Sequence, residues 1–300
     1  MKRAIAVGSM VFGVAAFAYA LSAIGLTTLQ QAIARIGWGF AAILLISSVR
    51  EVAKAAAWAQ TFTGAHRLSL VDAFRARLAG EALTTVIPMG FVVGEPTKAH
   101  YVDDTMPFAT AFGGLVLEFA FYLASLAVFA VAGLVLFAPN ATVLVVALVA
   151  VALLPTMKPV RRALAPARRF VTATPRRACA IFALEAAYHG LGIIETYIVL
   201  RFLAPAGATW TAAIGFEVIN RAVTLVFKMV PIRVGVDEAG AALIATRLAI
   251  LPSTGVALAL VRKMRVLFWT ALGLLVVAVR TFRRCAPTRT FCAAPLHKSA

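Results

Sequence analysis

Charge is scarce in this chain, and negative charge scarcer still: 14% of the residues are charged, and 12 Asp and Glu stand against 29 Lys and Arg. With 62% of 300 residues hydrophobic and a mean hydropathy of +0.92, this composition excludes an ordinary water-soluble domain. The formal charge of +17 would suit nucleic acid in a soluble chain, but among long apolar runs such an excess marks cytoplasmic loops. No nucleic-acid partner is expected. Cysteine is also rare: Cys179, Cys285 and Cys292 are odd in number and lack CxxC spacing, so neither a disulfide framework nor a metal site is indicated. Three catalytic signatures are missing, namely HExxH, GxGD and the Gly-x-Ser-x-Gly elbow, so no enzyme activity and no cofactor are expected.

What the chain does have is a set of apolar runs near the roughly 20 residues that cross a bilayer. The expectation is an all-α polytopic membrane protein of about six spanning helices plus two re-entrant, broken-helix hairpins. Glu217 to Ile250 is the stretch the rest is arranged around. Its first part reads as an apolar helix carrying Glu217, Arg221, Thr224 and Lys228 on one face, which is too polar for lipid. The helix should break at Pro231 and Gly235, and Asp237-Glu238 should cap a second helix from Ala239 to Ile250.

In chain order, Lys2-Arg3 and the run from Ala4 to Leu26 form a first span with an inside-facing start; signal-peptide cleavage at Ala18-Tyr19-Ala20 is the competing reading. Spans follow over 38–62, carrying Arg50, Glu51 and Lys54, and over 108–137, carrying a solitary Glu118 read as structural. Between them residues 80–102, interrupted by Pro88, Gly90, Gly94 and Pro96, form the first hairpin. Residues 142–154, 179–200 and 256–279 supply three further spans, with the second hairpin at 209–250. The basic loop at 158–177 fixes the inside, so the loops at 138–141 and 201–208 should lie outside and both termini inside the cytoplasmic (inner) membrane. Residues 1–280 are then one integral membrane domain with repeat halves at 1–138 and 139–280, and 281–300 is a disordered basic tail.

The two halves start on opposite sides, which is the pattern of an inverted-topology repeat. Pro88 precedes Glu95 by the same spacing as Pro231 precedes Glu238. Helix N-termini at such breaks favour an anion such as a lipid phosphate, whereas Glu95, Asp237 and Glu238 as caps would favour a proton, a cation or an amine. Lys98, Arg221 and Arg233 are the nearest basic partners. Glu185 and His189 share a face, as do Glu217 and Arg221, and each pair reads either as a cavity lining or as an interhelical staple. Arg262, Lys263 and Arg265 sit early in the last span, where snorkelling to headgroups is the bland reading for Lys263 and Arg265.

PIRVGVDEAGAALIATRLAI followed by ALALVRKMRVLFWTALGLL resembles the hallmark region of the flippase-like membrane domain family of lysyl-phosphatidylglycerol synthase/flippase proteins. VVGEPTKAHYV is similar to that family's Gly-Glu-x-x-Lys/Arg element, and LEAAYHGLGIIETYIVLRFL points toward its hopanoid-biosynthesis-associated branch. The resemblance places Gly94, Glu95 and Lys98 in a first element and Pro231, Gly235, Val236, Glu238 and Arg262 in a second. Ile232 and Arg233 depart from it, standing where the family usually has two glycines. Its implication is a membrane transporter or flippase for an amphipathic, polar or phosphate-bearing lipid. Two alternatives remain open: the membrane half of a lipid-modifying enzyme, and an accessory scaffold working with lipid-biosynthesis enzymes.

Overall fold

The computed structural model describes residue 27 and residues 34–63, 66–87, 89–137, 164–227, 233 and 235–285. The expected first span, Pro88, the loop at 138–141, the span at 142–154, Lys228, Pro231 and the tail beyond Cys285 lie outside them. All regular structure among the described residues is helical. In order it comprises α1 (Gly39–Gln60), α2 (Leu70–Val86), α3 (Phe91–Tyr101), α4 (Phe108–Phe137), α5 (Ala165–Ala173), α6 (Pro175–Leu203), a short 3-10 turn (Pro205–Gly207), α7 (Trp210–Val226), α8 (Val236–Arg247) and α9 (Pro252–Cys285).

Local chemistry sets most of these boundaries. Ser69 Oγ accepts the Asp72 N–H at 3.0 Å to start α2, and Thr209 Oγ1 accepts the Ala212 N–H at 3.0 Å to start α7. Ile87 leaves the helix for an extended conformation, as the residue before a proline must. At the second break Gly235 takes φ +84°, and its N–H donates to Glu238 Oε2 at 2.8 Å. Glu238 therefore caps α8, which starts at Val236 rather than at Ala239.

Three helices among the described residues are long and apolar enough to cross a membrane: α4 over Phe108–Gly133, α6, and α9 over Pro252–Phe282. The expected span at 38–62 is helical as α1, which is not among those three, and its Arg50 and Lys54 are buried. The basic loop at 158–177 is helical over Ala165–Ala173, and α9 carries helix into the expected tail as far as Cys285. Apolar side chains such as Leu45, Val128 and Leu275 are exposed while charged ones such as Arg50, Glu185 and Glu217 are buried, the arrangement a membrane protein needs.

Two apolar cores flank a charged layer. One gathers Ile43 with Leu200, Phe216 and Leu258; the other gathers Trp58 with Ala76, Ala99 and Leu115. Along α1 the sequence passes from Ile43 in the first core to Trp58 in the second, and Arg50 and Lys54 fall between them. The described elements also run twice through one order: a helix (α1, α6), a hairpin (α2/α3, α7/α8) and a long helix (α4, α9). Contacts cross between the halves: α1 packs on α6, α2 on α9 and α7 on α4.

Gly94 is not a helix break. It lies inside α3, buried, facing Gly80 of α2, and a Cβ at Gly94 would stand 2.0 Å from Thr84 Oγ1 and 2.5 Å from the Gly80 carbonyl oxygen. The pair of glycines lets the two arms of the hairpin touch backbone to backbone. Gly94→Val should push α3 off α2 and cost about 1–3 kcal/mol, as overpacking does. Thermal unfolding in detergent checks this; an unchanged transition would refute the close seam.

Candidate functional site

Between the two cores lies a cavity of about 430 Å³, reached by both hairpins. Nine basic side chains line it: Arg50, Lys54, Arg77, Lys98, Arg221, Arg233, Arg262, Lys263 and Arg265. Five acids share the lining, namely Glu51, Glu81, Glu95, Glu118 and Asp237. Four more, Glu185, Glu195, Glu217 and Glu238, stand behind it in ion pairs with lining bases. Nine of the chain's 12 acids are thus gathered at one place.

The charges fall into lobes. In the first, Arg50, Arg221, Arg262 and Arg265 surround two acids. Glu217 accepts from Arg221 Nε and Nη2 at 2.9 and 2.6 Å through one oxygen and from Arg262 Nη2 at 2.9 Å through the other, with Arg50 Nη2 at 3.8 Å. Glu195 accepts from Arg50 Nη1 at 2.5 Å and from Arg265. Four guanidinium groups on two carboxylates leave this lobe positive. Thr196 Oγ1 accepts from Arg262 Nη2 at 2.7 Å, and Tyr188 Oη accepts from Arg221 Nη1 at 2.9 Å.

The second lobe has the opposite balance. Lys54 Nζ donates to both oxygens of Glu185 at 3.0 and 3.1 Å and also contacts Glu118 Oε1. Arg77 lies 3.6 Å from both Glu118 and Glu81, and Lys98 Nζ donates to Glu81 at 2.6 Å and to Glu95 at 3.0 Å. Three bases here face four paired carboxylates, with Glu51 on the same wall acting on Arg77. Tyr188 stands between the lobes, its ring under Arg50 at 4.6 Å, Arg221 at 4.7 Å and Lys54 at 5.5 Å.

A third group joins the second break to α9. Arg233 Nε donates to Asp237 Oδ1 at 3.0 Å, and Lys263 Nζ donates to Glu238 Oε1 at 2.5 Å and to the Arg233 carbonyl at 3.2 Å. Arg233 has φ +47°, in the left-handed region that favours glycine. This is one of the two positions where the sequence departs from the glycines its resemblance calls for, and the Asp237 and Lys263 contacts hold it there.

Several expectations are corrected by this geometry. Glu95 does not cap a helix: it sits in the second turn of α3 and pairs with Lys98, while the first residue of α3 follows Gly90 with no side-chain cap. Glu118 is not solitary but lies between Lys54 and Arg77. Lys263 and Arg265 do not snorkel outward, because their side chains are 3% and 15% exposed and paired with Glu238 and Glu195. Glu185 and His189 share a helix face yet go separate ways, since Glu185 meets Lys54 while His189 is enclosed by the rings of Tyr122, Phe129 and Tyr188. Of the expected site residues, Glu95, Lys98, Arg221, Arg233, Asp237 and Arg262 reach the cavity wall, and Glu185, Glu217 and Glu238 back it. Arg50, Lys54, Arg77, Glu81, Glu195, Lys263, Arg265 and Tyr188 were not expected there. Arg50 and Lys54 did carry a signal, being charges in an otherwise apolar run.

Residues 4–274 match the family described as the lysylphosphatidylglycerol synthase TM region. The chain belongs to that family. No curated protein and no solved structure matches it. Membership gives the buried charge a setting in a lipid-related membrane protein, and the lobes on α1, α2, α3, α4, α6, α7 and α9 all fall within the matched residues.

Glu217 is the shared acid of its lobe, so its loss and that of Arg221 are not equivalent. Glu217→Gln leaves Arg50, Arg221 and Arg262 buried around a neutral group and should cost about 3–5 kcal/mol, as removing one member of a buried pair does. Arg221→Ala leaves Glu217 with Arg262 and should cost less, roughly 1.5–3 kcal/mol for hydrogen bonds to a charged group. Thermal unfolding of the two variants decides it; equal losses would mean that Glu217 and Arg221 act as an isolated pair.

Proposed function

We propose that this protein moves an amphipathic, phosphate-bearing lipid between the leaflets of the cytoplasmic membrane, holding the headgroup in the cavity while the acyl chains stay in the bilayer. The observation that supports this most is the positive lobe: four buried arginines on two carboxylates, at the wall of a cavity large enough for a headgroup. Guanidinium forks match phosphate oxygens in pairs, and a phosphate would make up the lobe's missing negative charge. Arg221 and Arg262 are the principal ligands, with Arg50 and Arg265 completing the field. The second break, with Arg233 and Lys263, extends the basic wall.

The doubled element order, with contacts crossing between the halves, supports an inverted repeat as the basis of access from either side. In that arrangement the segment around Arg169 is cytoplasmic and the turn at Ala206 is external, both being exposed. Single cysteines placed there in a cysteine-free background should react with an impermeant reagent from opposite sides. Labelling of both from one side would end the inverted topology.

A synthase in the family's description favours a second reading, the membrane half of a lipid-modifying enzyme. The stretch LEAAYHGLGIIETYIVLRFL supports hopanoid-linked lipids as one of the substrate classes to try. Reconstituted vesicles distinguish the readings. Fluorescent phosphatidylglycerol should change leaflets chemically unaltered, and Arg221→Ala with Arg262→Ala should slow it by at least about tenfold, one lost interaction of 1.4 kcal/mol. A folded double variant that translocates at the full rate would remove the arginine lobe from the headgroup site.

A further inference from the structure

The acidic lobe has no part in holding a phosphate, yet it is the more unusual of the two. Its five carboxylates, Glu51, Glu81, Glu95, Glu118 and Glu185, face three bases, Lys54, Arg77 and Lys98. The excess is not spread evenly. The Glu81 and Glu95 side chains line the cavity and are 44% and 32% exposed, so water can solvate their charge. Glu118 and Glu185 are buried, at 4% and 0%, and meet at one ammonium. Arg77 pairs with Glu118 at 3.6 Å and is divided between it and Glu81, so Lys54 is the cation that Glu185 meets.

Two buried carboxyl groups that share one ammonium can both stay ionised only while that ammonium stands between them; without it the usual resolution is a shared proton. We propose that the Glu118 and Glu185 pair is a proton site coupled to the anionic headgroup held at the arginine lobe, so that lipid and proton bind and cross together. This rests on the transport reading above. The coupling runs through Tyr188 and Lys54. Lys54 lines the cavity, its Nζ stands 4.4 Å from the Tyr122 ring centre, and an anion entering the cavity draws it off the pair. The pair, left with less positive charge, takes one proton from the aqueous phase by way of the cavity, giving a carboxylic acid and a carboxylate. Release of the headgroup on the other side lets Lys54 return and the proton leave.

The groups facing the pair are consistent with this. From α1 come Lys54 and Arg50, the latter committed to Glu195 and Glu217; from α2 comes Arg77, and from α3 Lys98, committed to Glu81 and Glu95. Tyr122 lies on α4, Tyr188 and His189 on α6, and Arg221 on α7, held by Glu217 and Tyr188. Lys54 is the one base among these that contacts both carboxyl groups.

Because binding and proton uptake are linked, affinity for an anionic lipid should rise as pH falls, by up to about tenfold per pH unit while the pair titrates. The test is calorimetric titration of the full chain in detergent with short-chain phosphatidylglycerol, which has a phosphate and no amine. Repeating it in two buffers of different ionisation enthalpy gives the protons taken up per lipid. Wild type should take up close to one, and Glu185→Gln close to none while still binding the lipid. Should Glu185→Gln fail to fold, Glu118→Gln serves in its place, and the wild-type proton count stands without either.

Phosphatidylglycerol binding to wild type with no proton uptake overturns the proposal and leaves the transport reading in place. So does binding of phosphatidylethanolamine alone without proton uptake, which would assign the acidic lobe to the headgroup's ammonium. Binding of neither lipid defeats the transport reading and this proposal with it, a result plainly different from binding without protons.

Discussion

A charge buried away from water must find an opposite charge, and nearly everything specific about this structure follows from that requirement. An isolated ionised group costs several kcal/mol to bury, so nine bases cannot line an interior cavity unless acids stand within reach of them. The chain has 12 acids, and it commits nine of them to this task. The remaining three serve local ends: Asp72 at the start of α2, and Asp103 and Asp104 beside Arg280 at the far end of α9. Acid is scarce in this sequence, but it is concentrated in space.

The apolar cores and the charged layer depend on each other. Because the cores around Ile43 and Trp58 hold α1 at both ends, the middle of that helix is fixed against α6, and Arg50 and Lys54 meet Glu195 and Glu185. Glycine contacts bring backbones close enough for short ion pairs to form. Gly80 against Gly94 brings the Lys98 ammonium over Glu81, one residue beyond Gly80. At the second break the left-handed backbone at Arg233 and Gly235 turns the chain so that Asp237 and Glu238 face Arg233 and Lys263.

A cavity built this way has two poles. Among the described residues its arginine lobe has more bases than acids and its acidic lobe more acids than bases, so an anion at one and a proton at the other would each correct a local imbalance. Tyr188 touches both lobes through its ring, with cations of each over its face.

The sequence by itself determined the membrane class, the long helices expected over 108–137, 179–200 and 256–279, and the existence of two interrupted segments, because hydropathy, proline and glycine act over a few residues. It also determined the pairing of Glu217 with Arg221 and of Glu95 with Lys98, which lie one helical turn apart. Only the tertiary structure decided the rest. Whether Gly94 breaks a helix or seams two together depends on Gly80 in a neighbouring helix, and local propensity cannot see that contact. Glu118 looked solitary because its partners, Lys54 and Arg77, are remote in sequence, and Arg50 found Glu195 145 residues away. Charge pairing across such separations is fixed by which helices pack together, and packing is a property of the whole chain.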